Sequence, residues 1–426
     1  MAAFDMKKPS IPFPTSWPAA ICVLIVGLLA IWPGDAPWGG DDVVLISTAI
    51  KANHEHHLIA AGLGGSFGYP YGPIPSQIYQ LLVMFSHDPV VLVRLHAVLF
   101  AAAVAGALLY LAAVMNLSPW MAPMTMVGPF FFFYSRLMWD NTFAIPVGTL
   151  LLASYGDCLR RSSRAAFFTA VSCAIALPLI HPMTLPLVIP VVIHALIFKR
   201  DAIKKHWPGL IVIALCAAIC SGAYVQRVAD QLRQSPNLIP PRADALTRAQ
   251  AAVFPLFAGR LFSAHGFFDE RGPEMGWEQN RLVEISRLLS TVSYPLIWLG
   301  MFAAIARIRN LTPVPALCLG TLLLQSLMDA RLRISPYPHY YSGTWAAAVV
   351  FLWMGLDLLG RFKLRSAIGL TYAIVMVIST IAFAVDIHRQ GGGLVWYGPS
   401  LGTQLRENKE APDVHPGLPW LDRLRK

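Results

Sequence analysis

The run PVVLVRLHAVLFAAAVAGALLYLAAVM, residues 89–115, is too long and too apolar for a helix of a water-soluble domain. At 1.5 Å of rise per residue it reaches about 40 Å as a helix, more than the ~30 Å of hydrocarbon in a bilayer. Outward from it, comparable runs lie at about 17–33, 120–135, 141–157, 165–181, 183–198, 207–224, 288–306, 313–328, 343–359 and 366–385. With 89–115 they predict an all-α polytopic membrane protein of about eleven spans. Prolines inside several runs (Pro146, Pro178, Pro186 and Pro190) predict kinked helices whose freed backbone groups are satisfied by neighbouring protein.

Composition agrees. Of 426 residues, 56% are hydrophobic and 13% charged, against about 25% charged in soluble domains; mean hydropathy is +0.55. The net charge of +10 would suggest nucleic acid only if the charges clustered on a soluble face, and they do not. With Lys7 and Lys8 in the cytoplasm, alternating crossings put 116–119, 158–164, 199–206, 307–312 and 360–365 inside, and four of these five connections are basic. That is the positive-inside pattern of a membrane protein, and no nucleic-acid partner is expected. The same parity puts 34–88, the stretch near 225–287, the turn 329–342 and the tail on the extracytoplasmic side. The organisation expected is one membrane body over 1–385 and a short extracytoplasmic tail over 386–426. The run 17–33 reads as an uncleaved first span, because Pro33, Gly34 and Asp35 follow it rather than a small-x-small site.

Six cysteines (Cys22, Cys158, Cys173, Cys216, Cys220 and Cys318) fall in or beside apolar runs, so no disulfide framework is expected. Cys216 and Cys220, one helical turn apart without His or carboxylate neighbours, read as packing rather than a metal pair.

Chemistry gathers in the outward connections. After the first span comes Trp38-Gly39-Gly40-Asp41-Asp42, then an amphipathic stretch suited to a short interfacial helix. Its two carboxylates have two readings: one caps the helix and complements its dipole, or one serves a reaction. Farther on, Phe67-Gly68-Tyr69-Pro70-Tyr71-Gly72-Pro73-Ile74-Pro75 leads into a helix with Gln77, Tyr79 and Gln80, and Arg94 follows near the head of the next span. Later outward stretches are Tyr134-Ser135-Arg136-Leu137-Met138-Trp139-Asp140-Asn141 and, after Arg331 and Arg333, Tyr337-Pro338-His339-Tyr340-Tyr341.

In order and position these features resemble the GT-C class of integral-membrane glycosyltransferases, which includes protein O-mannosyltransferases and lipid A aminoarabinose transferases. Residues 134–141 look like that class's Ser-Arg-x-x-Trp-Asn-Pro stretch, and 337–341 like its His-Tyr-Phe turn. Asp41-Asp42 stands where Asp-Glu is common, and Tyr71-Gly72-Pro73 where several members have His-Pro-Pro.

The resemblance implies transfer of a sugar from a polyprenyl-phosphate carrier to a lipid, glycan or protein acceptor, usually with inversion, at the outer face of a bacterial inner membrane. It implies Asp41 as the general base, with Asp42 in reserve because adjacent helix residues diverge by roughly 100°. Arg94, Arg136, Arg331, Arg333 and His339 are the expected contacts to the donor phosphate, since Arg holds phosphate oxygens bidentately; the alternative for any single Arg is snorkelling to headgroups. Tyr69, Tyr71, Trp139 and Tyr340 are the expected walls of the substrate cavity.

Some members of the class use a divalent cation. Here His54-Glu55-His56-His57 offers only His54 and His57 at helical spacing, and it reads as an interfacial helix end rather than a metal site. His181, in the short turn before Pro182, is either a contact for phosphate or an interface anchor. A transporter or flippase would show paired broken helices in two related halves, whereas no internal duplication is visible. A non-catalytic scaffold has no use for clustered outer carboxylates.

Overall fold

The computed structural model describes residues 16–38, 40–65, 70–234, 254–263, 281–307, 312–332, 338–360, 365–389, 391–392 and 400–410. Tyr69 and Arg333 lie outside the described residues, as do the His339 side chain and much of the expected long outward loop. In chain order the helices are α1 (Ser16–Leu29), α2 (Asp41–His54), α3 (Ile74–Leu82), α4 (Pro89–Val114), α5 (Met121–Met126), α6 (Pro129–Tyr134), α7 (Ala144–Arg161), α8 (Arg164–Ile180), α9 (Leu185–Phe198), α10 (Arg200–Lys205), α11 (Trp207–Gln234), α12 (Arg281–Ser290), α13 (Ser293–Ala306), α14 (Pro313–Leu332), α15 (Trp345–Leu359), α16 (Arg365–Arg389) and α17 (Leu401–Glu410). Short 3-10 turns cover Pro33–Asp35, Pro182–Thr184, Phe254–Leu261 and Pro338–Thr344. Extended pairing among the described residues is limited to isolated bridges, Pro37 with Ser400 and Gly64 with Pro70.

Six helical stretches among the described residues are long and apolar enough to cross a membrane: 89–114, 207–231, 281–306, 313–331, 340–359 and 367–389. Apolar helices at 16–29, 164–180 and 182–198 are shorter. Large apolar side chains stay exposed on α9 (Ile193, Leu196 and Phe198), α11 (Ile211, Leu215 and Ile219) and α16 (Leu370, Ile374 and Ile381). Water does not tolerate such continuous faces, whereas lipid suits them.

The run 120–135, expected as one span, is instead two six-residue helices, α5 and α6, separated at Val127-Gly128. Val127 and Gly128 are extended, and Pro129, which has no N–H to donate, opens the second helix. Each piece is about 9 Å long, and Phe130–Tyr134 are all buried. This stretch is apolar because protein surrounds it. Helix α7 is likewise buried along most of its length, so it carries Thr149, Ser154 and Asp157 where a lipid-facing helix would not.

The closest helix crossing joins α13 and α15. A Cβ built on Gly300 would lie 1.9 Å from the Phe351 carbonyl oxygen, and one on Gly355 would lie 2.0 Å from that of Leu296. Small residues permit this backbone approach, and its dispersion contacts replace the hydrophobic drive that is absent in lipid.

At one end of the bundle the chain's first outward loop meets its tail. Leu401 N–H donates to the Ala36 carbonyl at 2.9 Å, and Gln404 Nε2 donates to the Trp38 carbonyl. Asp35 Oδ2 lies 2.9 Å from His388 Nδ1, whose ring stacks on Trp32 at 4.1 Å. Residues 32–38 and 400–404 therefore share one end of the molecule.

Candidate active site

The site is built where α2 begins. Its N-cap is Gly40, at φ 55° and ψ −111° with no side-chain cap, a conformation open in practice only to glycine. The sharp turn places Asp41 and Asp42 in the first helical turn, so neither carboxylate is the cap; both remain favoured there by the helix dipole. Their surroundings differ. Asp42 is 0% exposed, while Asp41 opens to the surface. The partial burial of the Asp41 carboxyl still raises it above the ordinary carboxylate range.

The loop after α6 supplies the second carboxyl. Arg136 N–H and Leu137 N–H donate back to the Phe133 and Tyr134 carbonyls, and Thr142 Oγ1 donates to the Trp139 carbonyl at 2.8 Å, which turns the chain before α7. Asp140, 4% exposed, ends up in this turn. Burial first, and then the charge of Asp41, pushes its carboxyl up to about 7. Asp140 Oδ2 and the neighbouring Asn141 Oδ1 are buried with no hydrogen-bond partner, a costly arrangement typical of functional sites.

Tyr79 of α3 links these parts. Its hydroxyl donates to the Trp139 carbonyl at 3.2 Å and lies 3.4 Å from His96 Nδ1 of α4. Burial, followed by the negative charges of Asp42 and Asp140, raises its phenol well above the ordinary value. The cluster thus unites Asp41, Asp42, Tyr79, His96 and Asp140 from four separate parts of the chain. It is a pair of carboxyl environments, one open and one buried, able to take a proton at Asp41 and to hold one at Asp140.

Arg136 makes its contacts outside this cluster. Arg136 is 2% exposed; its Nη1 donates to the Ile31 and Trp32 carbonyls at 3.4 and 3.3 Å, and its guanidinium sits 4.0 Å above the Phe132 ring. Burial lowers its pKa to about 10, and the charge that counters this is Asp35 rather than Asp41 or Asp42. Arg136 therefore ties the exit of α1 to α6. Arg136→Ala leaves Asp35 without that charge and those carbonyls without a donor. The expected result is a loss of about 1–3 kcal/mol, the cost of leaving buried hydrogen-bonding groups unsatisfied, read as a lower denaturation midpoint.

Arg94 and Arg331 are exposed, Trp139 and Tyr340 half-buried, and Tyr71 buried. Glu55 pairs with Lys51 at 3.8 Å and with His57 at 3.6 Å on the exposed end of α2. Among the described residues no group of three or more metal-ligating side chains converges.

In the sequence Tyr79 and Asp140 stand within quoted stretches without a role, and His96 and Asp329 carry no motif. Asp329, on α14, is 0% exposed and accepts from Gln325 Nε2 at 2.8 Å and from Tyr341 Oη at 2.9 Å. The available signal was the same for both acids: a carboxylate in an apolar run is expensive and rarely idle.

An all-helical membrane body with a carboxyl cluster at the start of α2 and in the turn before α7 defines a class of polytopic helical protein. Two solved structures share this fold. ArnT from Cupriavidus metallidurans in the apo state superposes with a TM-score of 0.58 at 11% identity, covering 93% of this chain and 80% of that one. The same protein bound to undecaprenyl phosphate gives 0.54 at 10% identity, covering 94% and 80%. No family model matches the sequence, and no curated protein does. The GT-C resemblance drawn from the motifs is thus borne out as a likeness of fold.

Proposed function

We propose that the protein is a glycosyltransferase that moves a sugar from a polyprenyl-phosphate carrier to an acceptor hydroxyl at the extracytoplasmic face of a bacterial inner membrane. The observation that carries this reading is the pairing of an open Asp41 with a buried Asp140 at the end of the bundle where the first outward loop lies. The fold shared with ArnT, which has been solved with undecaprenyl phosphate, supports the choice of donor class.

In this reading Asp41 takes the proton of the acceptor hydroxyl as its oxygen attacks the anomeric carbon. The carbon–oxygen bond to the phosphate breaks with inversion, and the lipid phosphate leaves with the electron pair. Asp42, enclosed and within electrostatic reach of Tyr79, shapes the field of the site. Asp140, whose carboxyl burial holds up to about 7, keeps its proton more readily than the base and so adds less negative charge beside it. Arg94, Arg331, Arg333 and His339 remain proposed contacts for the leaving phosphate, and Tyr69, Tyr71, Trp139 and Tyr340 proposed walls of the cavity. The eleven-span topology with a cytoplasmic N-terminus belongs to the same proposal.

Reconstitution of the purified protein with radiolabelled polyprenyl-phosphate sugars tests it. Label is expected to move from the carrier to an acceptor. Movement of the intact carrier across the bilayer without transfer would instead identify a flippase.

A further inference from the structure

Three turns converge around His181. The Tyr71-Gly72-Pro73 turn docks on the end of α8 so closely that a Cβ on Gly72 would lie 1.8 Å from the Leu179 carbonyl oxygen. The turn at Pro338–Thr344 packs on Pro182–Thr184, where a Cβ on Gly343 would lie 2.9 Å from Thr184 Cα. Between them stands His181, 1% exposed. Its ring lies 4.4 Å from that of Tyr71 and 6.4 Å from that of Tyr340, centroid to centroid.

His181 Nδ1 accepts the Met183 N–H at 3.2 Å. A ring nitrogen that accepts carries no proton, so the proton of the neutral imidazole sits on Nε2. That Nε2–H has no acceptor among the described residues. The little of His181 that is exposed leaves room for an acceptor from outside the chain. A phosphodiester supplies it, because its non-bridging oxygens only accept and their charge strengthens the bond.

Resting on the transferase reading above, we infer that His181 is a binding residue for the donor's lipid phosphate, its Nε2–H donating to a non-bridging oxygen between Tyr71 and Tyr340. Of the cations, Arg136 turns its Nη1 to the Ile31 and Trp32 carbonyls, while Arg94 and Arg331, the other proposed phosphate contacts, are exposed.

The test measures binding of undecaprenyl phosphate and of undecaprenol, the same lipid without phosphate, to the purified full chain. His181→Asn keeps a side-chain acceptor for the Met183 N–H, as asparagine does at helix starts, but cannot place a donor where Nε2 was. Its expected effect is about tenfold weaker binding of the phosphate with unchanged binding of the alcohol. Unchanged phosphate affinity overturns the inference, and so does an equal loss for both lipids, which marks a packing role. In the wild type, 15N–31P dipolar dephasing on protein labelled at histidine is expected to place an imidazole nitrogen against the bound phosphorus; no dephasing overturns it without recourse to any variant. A wild type that does not prefer the phosphate over the alcohol refutes the carrier-lipid reading itself.

Discussion

Asp41→Asn is expected to lower sugar transfer at least about a hundredfold, the low end of what loss of a general base costs, while expression and lipid binding hold. The expectation follows from exposure. Of the two adjacent carboxylates only Asp41 reaches the surface, while Asp42 is wholly enclosed. Asp42→Asn keeps the shape of that enclosure and should cost less. Burial raises the Asp41 carboxyl, so its base form is lost on acidification at a higher pH than for a free aspartate. The acid limb of kcat/KM should lie above the usual carboxylate range. Single-turnover rates of the two variants decide between the carboxylates: near-normal transfer by Asp41→Asn removes it as the base, and a larger loss in Asp42→Asn moves the role there.

Asp140→Asn should stabilise the protein at alkaline pH, an unusual outcome for a site residue. The folded state holds the Asp140 carboxyl up to about 7, well above its value in an unfolded chain. Between about pH 4 and 7 the folded state therefore binds more protons than the unfolded one, and stability falls as pH rises through that window. Each pH unit crossed costs about 1.4 kcal/mol, so ionised Asp140 at pH 8 carries a penalty of about 4 kcal/mol. Asparagine matches the shape of the neutral acid and has no charge to bury. The gain should be near its full size at pH 8 and absent at pH 4, as read from denaturation midpoints at both values. A gain of equal size at both pH values would mean that charge burial is not its source.

These two results would separate the carboxyls by role, one open and proton-accepting, the other enclosed and kept neutral. That separation arises from packing alone, since both side chains are the same acid. It also places strain of a known kind at the reaction centre, where selection tolerates instability in return for activity.

The membrane class and the helical composition were legible in the residues. They rest on local quantities: the length of an apolar run against the thickness of hydrocarbon, and the position of basic residues between runs. Residues 120–135 show where that reasoning ends. Apolarity is the same whether lipid or protein surrounds a segment, so the run read as a span, although Gly128–Pro129 breaks it and the packed bundle encloses it. Arg136 shows the same limit for charge. Its place in a motif suggested phosphate, and only the fold brings the Ile31 and Trp32 carbonyls and Asp35 to it.

By itself, then, the sequence determined that this chain lives in a membrane as helices and carries acids between them. Tertiary structure alone decided which acid is open, which is buried, and that Asp140, Tyr79 and His96 join Asp41 and Asp42. The physical reason is range. Helix formation and membrane insertion depend on neighbours within a few turns, whereas desolvation and Coulomb interaction depend on whatever the fold brings within a few ångströms, however far away in the chain.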